Sequence, residues 1–516
     1  MKELPLLTLL TLMPLLGGGL ALLASRQPIL SRRIAFAAAL LALAGAAFLW
    51  AQFDTARPGW QFVERAAWVP SLGIDYYLGL DGLGLLMVLL SALLVPFAML
   101  ASWNIGRNPP LFFALILFLE SGLFGTFTAL NFFHWFIFWE LGLLPAFFLV
   151  KIWGGPARTR AATQFFIYTL AGSVAMLLSF LALYAATGLF DFGQLAALAR
   201  QDALPDALFA RLGGSLFKSR ETLAGLVFLG VFLGFAVKAP LMPFHTWLPS
   251  AYAEAPTGAA MLLTGAMSKM GVYGFLRILL PLFPGQMRAL QTPLLCLAVA
   301  TIVFSAAAAL AQRDLKRMAA YSSLNHVGYC LLGIFAAVQL TGPAAAWTTE
   351  KAAALNGVML QMFNHGLTAA ALFYFVGLIE QRAGGLRGLD DFGGLRKAAP
   401  VFCGLMGITL FASIGLPGLN GFVGEFLIFK GALPLVGWAA AVSTLGLLIT
   451  AIFLLAILQR VFSGPLQERW SAWKDLTTGE RLALAPVIAL MFLLGICPQI
   501  LVSVSNPAAL AIVKLL

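Results

Sequence analysis

The sequence is poor in charged residues and in cysteine. Asp, Glu, Lys and Arg make up 10% of its 516 residues and hydrophobic residues 61%, whereas soluble domains are about 25% charged and about 45–50% apolar. This composition excludes a soluble enzyme, a disordered chain and a nucleic-acid-binding protein. The four cysteines lie far apart without CxxC or zinc-ligand spacing, so neither a disulfide framework nor a metal site is predicted.

Long apolar runs cover most of the chain. Crossing about 30 Å of hydrocarbon takes about 20 apolar residues. The sequence therefore predicts an all-α polytopic membrane protein with about 14 transmembrane helices. The predicted spans are 4–24, 34–51, 82–103, 111–129, 131–150, 162–186, 222–247, 258–280, 291–311, 317–338, 353–379, 400–431, 434–460 and 482–504.

Lys and Arg are distributed unequally between the two sets of loops. One set holds about eighteen of them and the other about ten, and the richer set is predicted to be cytoplasmic. An even number of spans then places both termini on the periplasmic side of the inner (cytoplasmic) membrane. The longest loops, 52–81, 187–221 and 461–481, are too short to form a soluble domain.

Helix-breaking residues interrupt three predicted spans near their centres. Pro240 and Pro243 lie in the seventh, Pro417 and Gly418 in the twelfth, and an Asn-His-Gly sequence at 364–366 in the eleventh. Non-helical backbone at membrane depth occurs only where protein or water satisfies its polar groups. The broken helices 7 and 12 lie five spans apart, which suggests an inverted repeat. Proline-kinked structural helices are the simpler alternative.

The repeat hypothesis divides the chain into four parts. Residues 1–110 hold helices 1–3, and residues 111–280 hold helices 4–8 as the first five-helix repeat. Residues 291–460 hold helices 9–13 as the second, inverted repeat, and residues 461–516 hold a loop and helix 14. The two halves show no strong residue-level identity.

Ionisable residues lie inside the apolar runs, where each Lys, Arg or Asp at a helix centre costs about 2.5–3.5 kcal/mol on insertion scales. Acids, bases and imidazoles alternate along the series, and each holds a proton that water can carry onward. We therefore predict a proton pathway, with structural ion pairs and packing histidines as the alternative. Its predicted members are Glu140, Lys238, Lys269, His326, His365 and Glu425, with Glu120 and Lys430 as auxiliary groups.

Electrostatics between Glu140 and Lys238 is strong enough for a pumping step. At an assumed separation of ~7 Å and an effective dielectric constant of ~20, the pair energy is about 2.4 kcal/mol. Moving one charge against 100 mV costs about 2.3 kcal/mol. Movement of Glu140 relative to Lys238 would therefore switch the lysine between holding and releasing a proton.

Around these residues the sequence resembles the antiporter-like subunits of respiratory complex I. The resemblance runs from about residue 75 to 460 and is highly specific. One departure is Asn325-His326-Val327-Gly328, where the family usually has Ser-His-Met-Gly. The matching motifs are FWEL at 138–141 with Pro145, FAVKAPLMPFHTWLP at 235–249, AEAPT at 253–257, KMGVYG at 269–274, DLKRMAAYSS at 314–323 and NHG at 364–366.

The residue in the second half of helix 12 distinguishes the branches of that family. Subunits L and N have lysine there, and subunit M has glutamate. This chain has Glu425 within GLNGFVGEF at 418–426, and it ends soon after the fourteenth span without the long lateral helix of subunit L. It therefore resembles the subunit M branch.

The resemblance implies roles for these residues. In the family, NADH oxidation and quinone reduction elsewhere in the complex are coupled to proton translocation through these subunits. Glu140 would tune Lys238, Lys269 would be the central relay, His326 and His365 would carry the proton onward, and Glu425 would be the terminal group. The breaks at Pro240 and Pro417 would admit water and allow small movements.

The resemblance also implies cofactors and partners. NADH, FMN, iron–sulfur clusters and quinone would bind other subunits and none would bind this chain, which has neither a nucleotide-binding glycine fingerprint nor cluster-type cysteine spacing. The partners would be other membrane-arm subunits, with L and N on either side, the lipid bilayer and protons, and no nucleic acid.

The sequence leaves three alternatives to this function. They are a subunit of a multisubunit sodium–proton antiporter, a subunit of a membrane-bound hydrogenase, and an inert scaffold. Glu425 in its sequence context argues against the antiporter, and the many buried ionisable residues argue against the scaffold.

Overall fold

The computed structural model describes residues 4–214, 217, 219–339 and 347–516, and this part of the chain is mostly helical. The helices of the first half are α1 Leu6–Leu23, α2 Pro28–Gln52, α3 Gly82–Ala101, α4 Pro109–Thr128, α5 Phe132–Trp153, α6 Arg158–Thr187, α7 Phe192–Arg200, α8 Ala203–Leu212, α9 Arg220–Lys238, α10 Leu248–Glu254, α11 Thr257–Leu262, α12 Ser268–Gly274, α13 Leu280–Leu282 and α14 Pro284–Ala289.

The helices of the second half are α15 Gln291–Ala311, α16 Leu315–Ala337, α17 Thr348–Arg382, α18 Pro400–Ile414, α19 Asn420–Leu435, α20 Gly437–Ile457, α21 Thr478–Ile496 and α22 Gln499–Val513. The strands are β1 Gln61–Val69 and β2 Ile74–Leu80. Single π-helical turns at Leu263–Met267 and Phe275–Leu279 join α11, α12 and α13 into one continuous helix, and a third at Leu458–Phe462 extends α20.

The predicted count of transmembrane helices is confirmed. Within the described residues, 12 helices are long and apolar enough to cross a membrane. The two remaining predicted spans are also helical. One is α16, which has 23 residues but carries Lys316 and Arg317 in its first turn, and the other is the interrupted pair α18–α19.

The two predicted helix breaks are present. Between α9 and α10, the amide of Leu241 donates to Ala236 O (2.8 Å), and that of Met242 donates to Thr301 Oγ1 on α15 (3.0 Å). Protein groups therefore replace the lost helical hydrogen bonds. Between α18 and α19, Gly415 (φ +85°) and Gly418 (φ +92°) adopt left-handed conformations that favour glycine.

The expected interruption of the eleventh span at 364–366 is wrong. α17 continues through it for 35 residues. The side-chain amide of Asn364 instead donates to Asn420 O at the start of α19 (2.8 Å). Gly366 allows close packing, because a Cβ there would lie 2.7 Å from Gly265 O. These residues pack α17 against its neighbours without breaking it.

The fourteenth span is interrupted and longer than predicted. α21 ends at Ile496, and α22 continues along α17 to Val513. Asn356 of α17 donates to Asn506 Oδ1 (2.9 Å) and accepts from Ser505 Oγ (2.6 Å), so polar contacts fix α22 in place.

One end of the bundle, here called the basic face, is where α4, α11 and α16 begin and α5, α10 and α17 end. A cavity of about 610 Å³ opens there, and residues from the ends of α5, α10 and α17, from the starts of α11 and α16 and from the α3–α4 loop line it. Ion pairs join the ends, since Arg387 contacts Glu380 (3.0 Å) and Asp314 (2.5 Å), and Lys316 contacts Glu380 (2.6 Å).

Helix directions relative to the basic face fit an inverted repeat. α4, α6 and the α11–α13 helix run away from this face, and α5 and the α9–α10 pair run toward it. In the second series α15, α17 and α20 run toward it, and α16 and the α18–α19 pair run away. The broken helix is the fourth of each series. The four sequence divisions themselves stay a prediction.

A β-hairpin in the 52–81 loop was not predicted. β1 and β2 pair antiparallel with two register shifts, and Glu64 of β1 accepts hydrogen bonds from the amides of Leu7 (2.6 Å) and Thr8 (3.1 Å) at the start of α1. Most residues of β1 are exposed. Because the strand has no regularly alternating buried face, its sequence lacks the strict alternation of apolar and polar residues that predicts a strand. The 187–221 loop likewise contains the short helices α7 and α8.

Candidate functional site

Four titratable side chains from four helices form a continuous series in the centre of the bundle, here called the central series: Lys269, His365, His326 and Glu425. Lys269 Nζ lies 2.7 Å from His365 Nδ1, the two imidazole centroids are 4.9 Å apart, and His326 Nδ1 lies 2.8 Å from Glu425 Oε1. None of the four is more than 5% exposed. The order along the series places His365, not His326, next to Lys269.

The helix that carries Lys269 is distorted beside it. Lys269 lies in α12, immediately after the π-helical turn Leu263–Met267. Thr264 O in this turn accepts from Lys269 Nζ (2.6 Å), and Ser268 Oγ lies 3.3 Å from the same atom. π-Helical turns often occur at functional sites, and here one supplies a carbonyl ligand for a buried ammonium group.

Gln361 also belongs to the site, although it is not among the residues predicted from the sequence. Its Nε2 lies 3.3 Å from His326 Nδ1 and 3.1 Å from Glu425 Oε1. Gln361 precedes His365 by four residues on α17, so both share one helix face. A polar amide four residues before a buried histidine, within an apolar run, was the sequence pattern that could have indicated Gln361 as a site residue.

Lys238 ends α9 at the first helix break and is 2% exposed. Its Nζ lies 4.8 Å from the Trp139 ring centroid, and no atom in the described part of the chain forms a hydrogen bond with it. The aromatic face and the C-terminal end of the helix dipole both favour the ammonium charge.

Glu140 does not form a close ion pair with Lys238. Within the described residues, no Glu140 oxygen comes within 4.0 Å of Lys238 Nζ, although the carboxylate is near enough to attract the ammonium group. Glu140 is half-buried and shares a stripe of α5 with Ile137 and Leu144, which are 41% and 48% exposed. It therefore lies at the edge of the subunit and not in its centre.

Lys238 is close to the central series but not in contact with it. α12 packs directly on the first break, because a Cβ added to Gly271 would lie 2.4 Å from Ala239 N. No hydrogen bond joins Lys238 to Lys269 within the described chain. A proton crossing this interval requires bridging water.

The two auxiliary residues lie apart from the central series. Glu120 is completely buried in α4, and its carboxylate oxygens have no hydrogen-bond partner among the described residues. Lys430 is exposed and shares the outer stripe of α19 with Phe426 and Leu433. Five residues separate Lys430 from Glu425 on this helix, so the two side chains point in different directions.

The central series has donor and acceptor groups suited to proton transfer. An ammonium donates to neutral imidazole nitrogen, and imidazole and carboxylate share a proton in either direction. The step between the two imidazoles requires a water molecule or a small ring movement. Among the described residues no three His, Cys, Asp or Glu side chains group as metal ligands would.

Comparison with known proteins identifies the family. Residues 129–452 match the family model described as "NADH:quinone oxidoreductase/Mrp antiporter, TM". The chain is 36% identical over 516 residues to NADH-quinone oxidoreductase subunit M of Rhodobacter capsulatus, covering 99% of this chain and 96% of that one. The chain belongs to the NADH-quinone oxidoreductase subunit M family. The resemblance noted in the sequence is thereby confirmed.

Solved structures share the same fold. A chain of respiratory complex I from Thermus thermophilus with bound NADH is 31% identical, with a TM-score of 0.82 and 99% of each chain covered. A chain of the Mrp complex from Dietzia sp. DQ12-45-1b superposes with a TM-score of 0.81 at 23% identity, over 99% of this chain and 97% of that one. This second likeness shows the fold alone.

Proposed function

We propose that this chain is a proton-translocating membrane-arm subunit of an NADH-quinone oxidoreductase. The observation that carries the proposal is the central series, in which four buried titratable groups follow one another across the membrane interior. Each buried ionisable group is costly in a membrane. Four in succession are more economically explained by proton transfer than by helix packing.

Proton transfer begins at Lys238 and Glu140 in this scheme. The Lys238 ammonium has an aromatic face but no hydrogen-bond partner in the described chain, so its charge depends strongly on the position of Glu140. When Glu140 moves away, Lys238 releases its proton through water to Lys269. The neighbouring break between α9 and α10 provides the hydration and the freedom to move.

The second half of the path runs along the central series. Lys269 passes its proton to His365, which passes it through water to the His326–Glu425 pair. Glu425 follows the second break, and a Cβ on Gly415 would lie 3.0 Å from its Oε2. The terminal carboxylate therefore borders non-helical backbone, where water would reach it.

The proposal also covers the orientation of the subunit in the membrane and its neighbours in the complex. The basic face would be cytoplasmic and both termini periplasmic, in the inner membrane. The outer apolar faces of α5–α6 and α19–α20 suit antiporter-like subunits L and N on either side, and Glu140 lies at the edge of the α5–α6 face.

NADH, FMN, iron–sulfur clusters and quinone would bind other subunits, which supply the redox energy. The four sequence divisions, 1–110, 111–280, 291–460 and 461–516, describe the repeats and their flanks.

Lys269→Ala in the purified native complex tests this function. Vesicles reconstituted with the complex and a pH-sensitive dye report NADH-driven acidification, and subunit composition reports assembly. We expect acidification to fall at least tenfold in Lys269→Ala and to persist in Lys474→Ala, which makes the same change in an exposed loop. Full acidification by Lys269→Ala would refute the proposed path. Purification with small antiporter subunits instead of redox subunits would favour the sodium–proton antiporter.

A further inference from the structure

Gln361 is 1% exposed, and its side-chain amide lies between His326 and Glu425. We propose that Gln361 is a positioning residue that keeps the shared proton of the His326–Glu425 pair on the imidazole, so that Glu425 remains a carboxylate. This role rests on the proposed function, because it assigns the resting state of the terminal proton site.

Hydrogen-bond chemistry supports this assignment. Gln361 Nε2 only donates, and it lies 3.1 Å from Glu425 Oε1 and 3.3 Å from His326 Nδ1. His326 Nε2 carries its own proton in both arrangements. When Nδ1 also carries the shared proton, the imidazolium Nδ1–H and the Gln361 Nε2–H both donate to the carboxylate oxygen, and these are charge-assisted bonds. When Oε1 carries it, Nδ1 accepts from Oε1 and the amide loses its charged acceptor. The first arrangement is therefore favoured.

The packing of α17 against α19 fixes the amide in this position. A Cβ on Gly424 would lie 2.6 Å from Gln361 Oε1, and a Cβ on Gly357 would lie 2.5 Å from Ile428 N. Both glycines bring the helices close enough for Gln361 to reach Glu425. Because an amide does not gain or lose protons readily, Gln361 directs the proton without carrying it.

This resting state affects the transport step. A proton arriving from His365 through water meets an imidazolium with both nitrogens protonated and an ionised Glu425 carboxylate, and the carboxylate accepts it. Removing the amide would shift the shared proton toward Glu425 by about tenfold, equivalent to about 1.4 kcal/mol. Glu425 would then be occupied before the new proton arrives.

Infrared difference spectroscopy of the complex distinguishes the two states. In Gln361→Met we expect a protonated-carboxyl C=O band at neutral pH that is weaker by about tenfold in wild type and disappears when Glu425→Gln is added. Gln291→Met is the matched control, because among the described residues that amide donates to Phe335 O alone (2.9 Å), and it should show no new band.

Two outcomes would overturn the inference. One is a Gln361→Met spectrum without the band, and the other is a wild-type band with the full intensity of one protonated carboxyl that Glu425→Gln removes, since the resting Glu425 would then be protonated. The second comparison needs no Gln361 variant and holds even where Gln361→Met does not assemble. Both readouts are independent of the Lys269→Ala acidification assay, so failure of the translocation scheme and failure of this inference are distinguishable.

Discussion

His326 on α16 and Glu425 on α19 form a buried pair in which Nδ1 lies 2.8 Å from Oε1. The pair joins the helix that follows the second break to the centre of the bundle. It is also the end of the central series farthest from Lys269. Because the two groups share one hydrogen bond, changing either alters the proton affinity of the other.

His326→Ala should abolish acidification while weakening the complex. Truncation leaves Gln361 as the remaining hydrogen-bond partner of the Glu425 carboxylate among the described residues. Removing one partner of a buried pair typically costs about 3–5 kcal/mol. We expect a lower melting temperature of the purified complex together with at least tenfold slower NADH-driven acidification. Tyr321→Phe on the same helix should change neither quantity, and an actively pumping His326→Ala complex would exclude this histidine from the path.

Lys238→Ala and Glu140→Ala should each abolish acidification in a complex that still assembles. Lys238 Nζ makes no hydrogen bond in the described chain, so its removal leaves no orphaned partner. Glu140 is half-buried at the subunit edge, so the complex should also tolerate its loss. Acidification in vesicles and subunit composition measure the two effects separately. Normal acidification by either variant would contradict the role given to that residue.

Glu425→Lys should be damaging, but less so than Lys238→Ala. A lysine at 425 can gain and lose a proton, so it restores a proton carrier at this position. It nevertheless meets the Gln361 amide donor, where a carboxylate accepted a hydrogen bond. Acidification rates of the two variants measured side by side decide the order, and a slower Glu425→Lys complex would reverse it.

The fold was largely predictable, because a helix that crosses a membrane requires a long apolar run that is visible in the sequence. The breaks at Pro240 and Pro417 were predictable because proline removes a backbone donor. The Asn-His-Gly sequence at 364–366 led to a wrong prediction of a helix break, although the backbone donors there remain in the helix. Asparagine and glycine resemble breakers, but their role here is contact between helices. The β-hairpin escaped prediction because its largely exposed first strand has no regular apolar pattern.

The membership of the candidate site was easier to predict than its geometry. Charge inside apolar runs singled out Lys269, His326, His365 and Glu425, and the structure brings all four together. Their order depends on which helices are neighbours, and a list in chain order places His326 before His365. The amide of Gln361 escaped notice because an uncharged residue gives a weaker signal than a charge.

The direct packing of α17 on α19 gives the last prediction. A Cβ at Gly357 would lie 2.5 Å from Ile428 N and 2.8 Å from Leu427 C, and backbone atoms cannot move aside as a flexible side chain can. Gly357→Ala should therefore separate the two helices and destabilise the complex by about 1–3 kcal/mol. Gly404→Ala is the matched control, because its Cβ would meet no atom of the described residues within 4 Å. Thermal unfolding of the two purified complexes measures the difference. Because Gln361 lies one helical turn after Gly357, acidification should fall in Gly357→Ala alone, and equal behaviour of both variants would show that this close contact is dispensable.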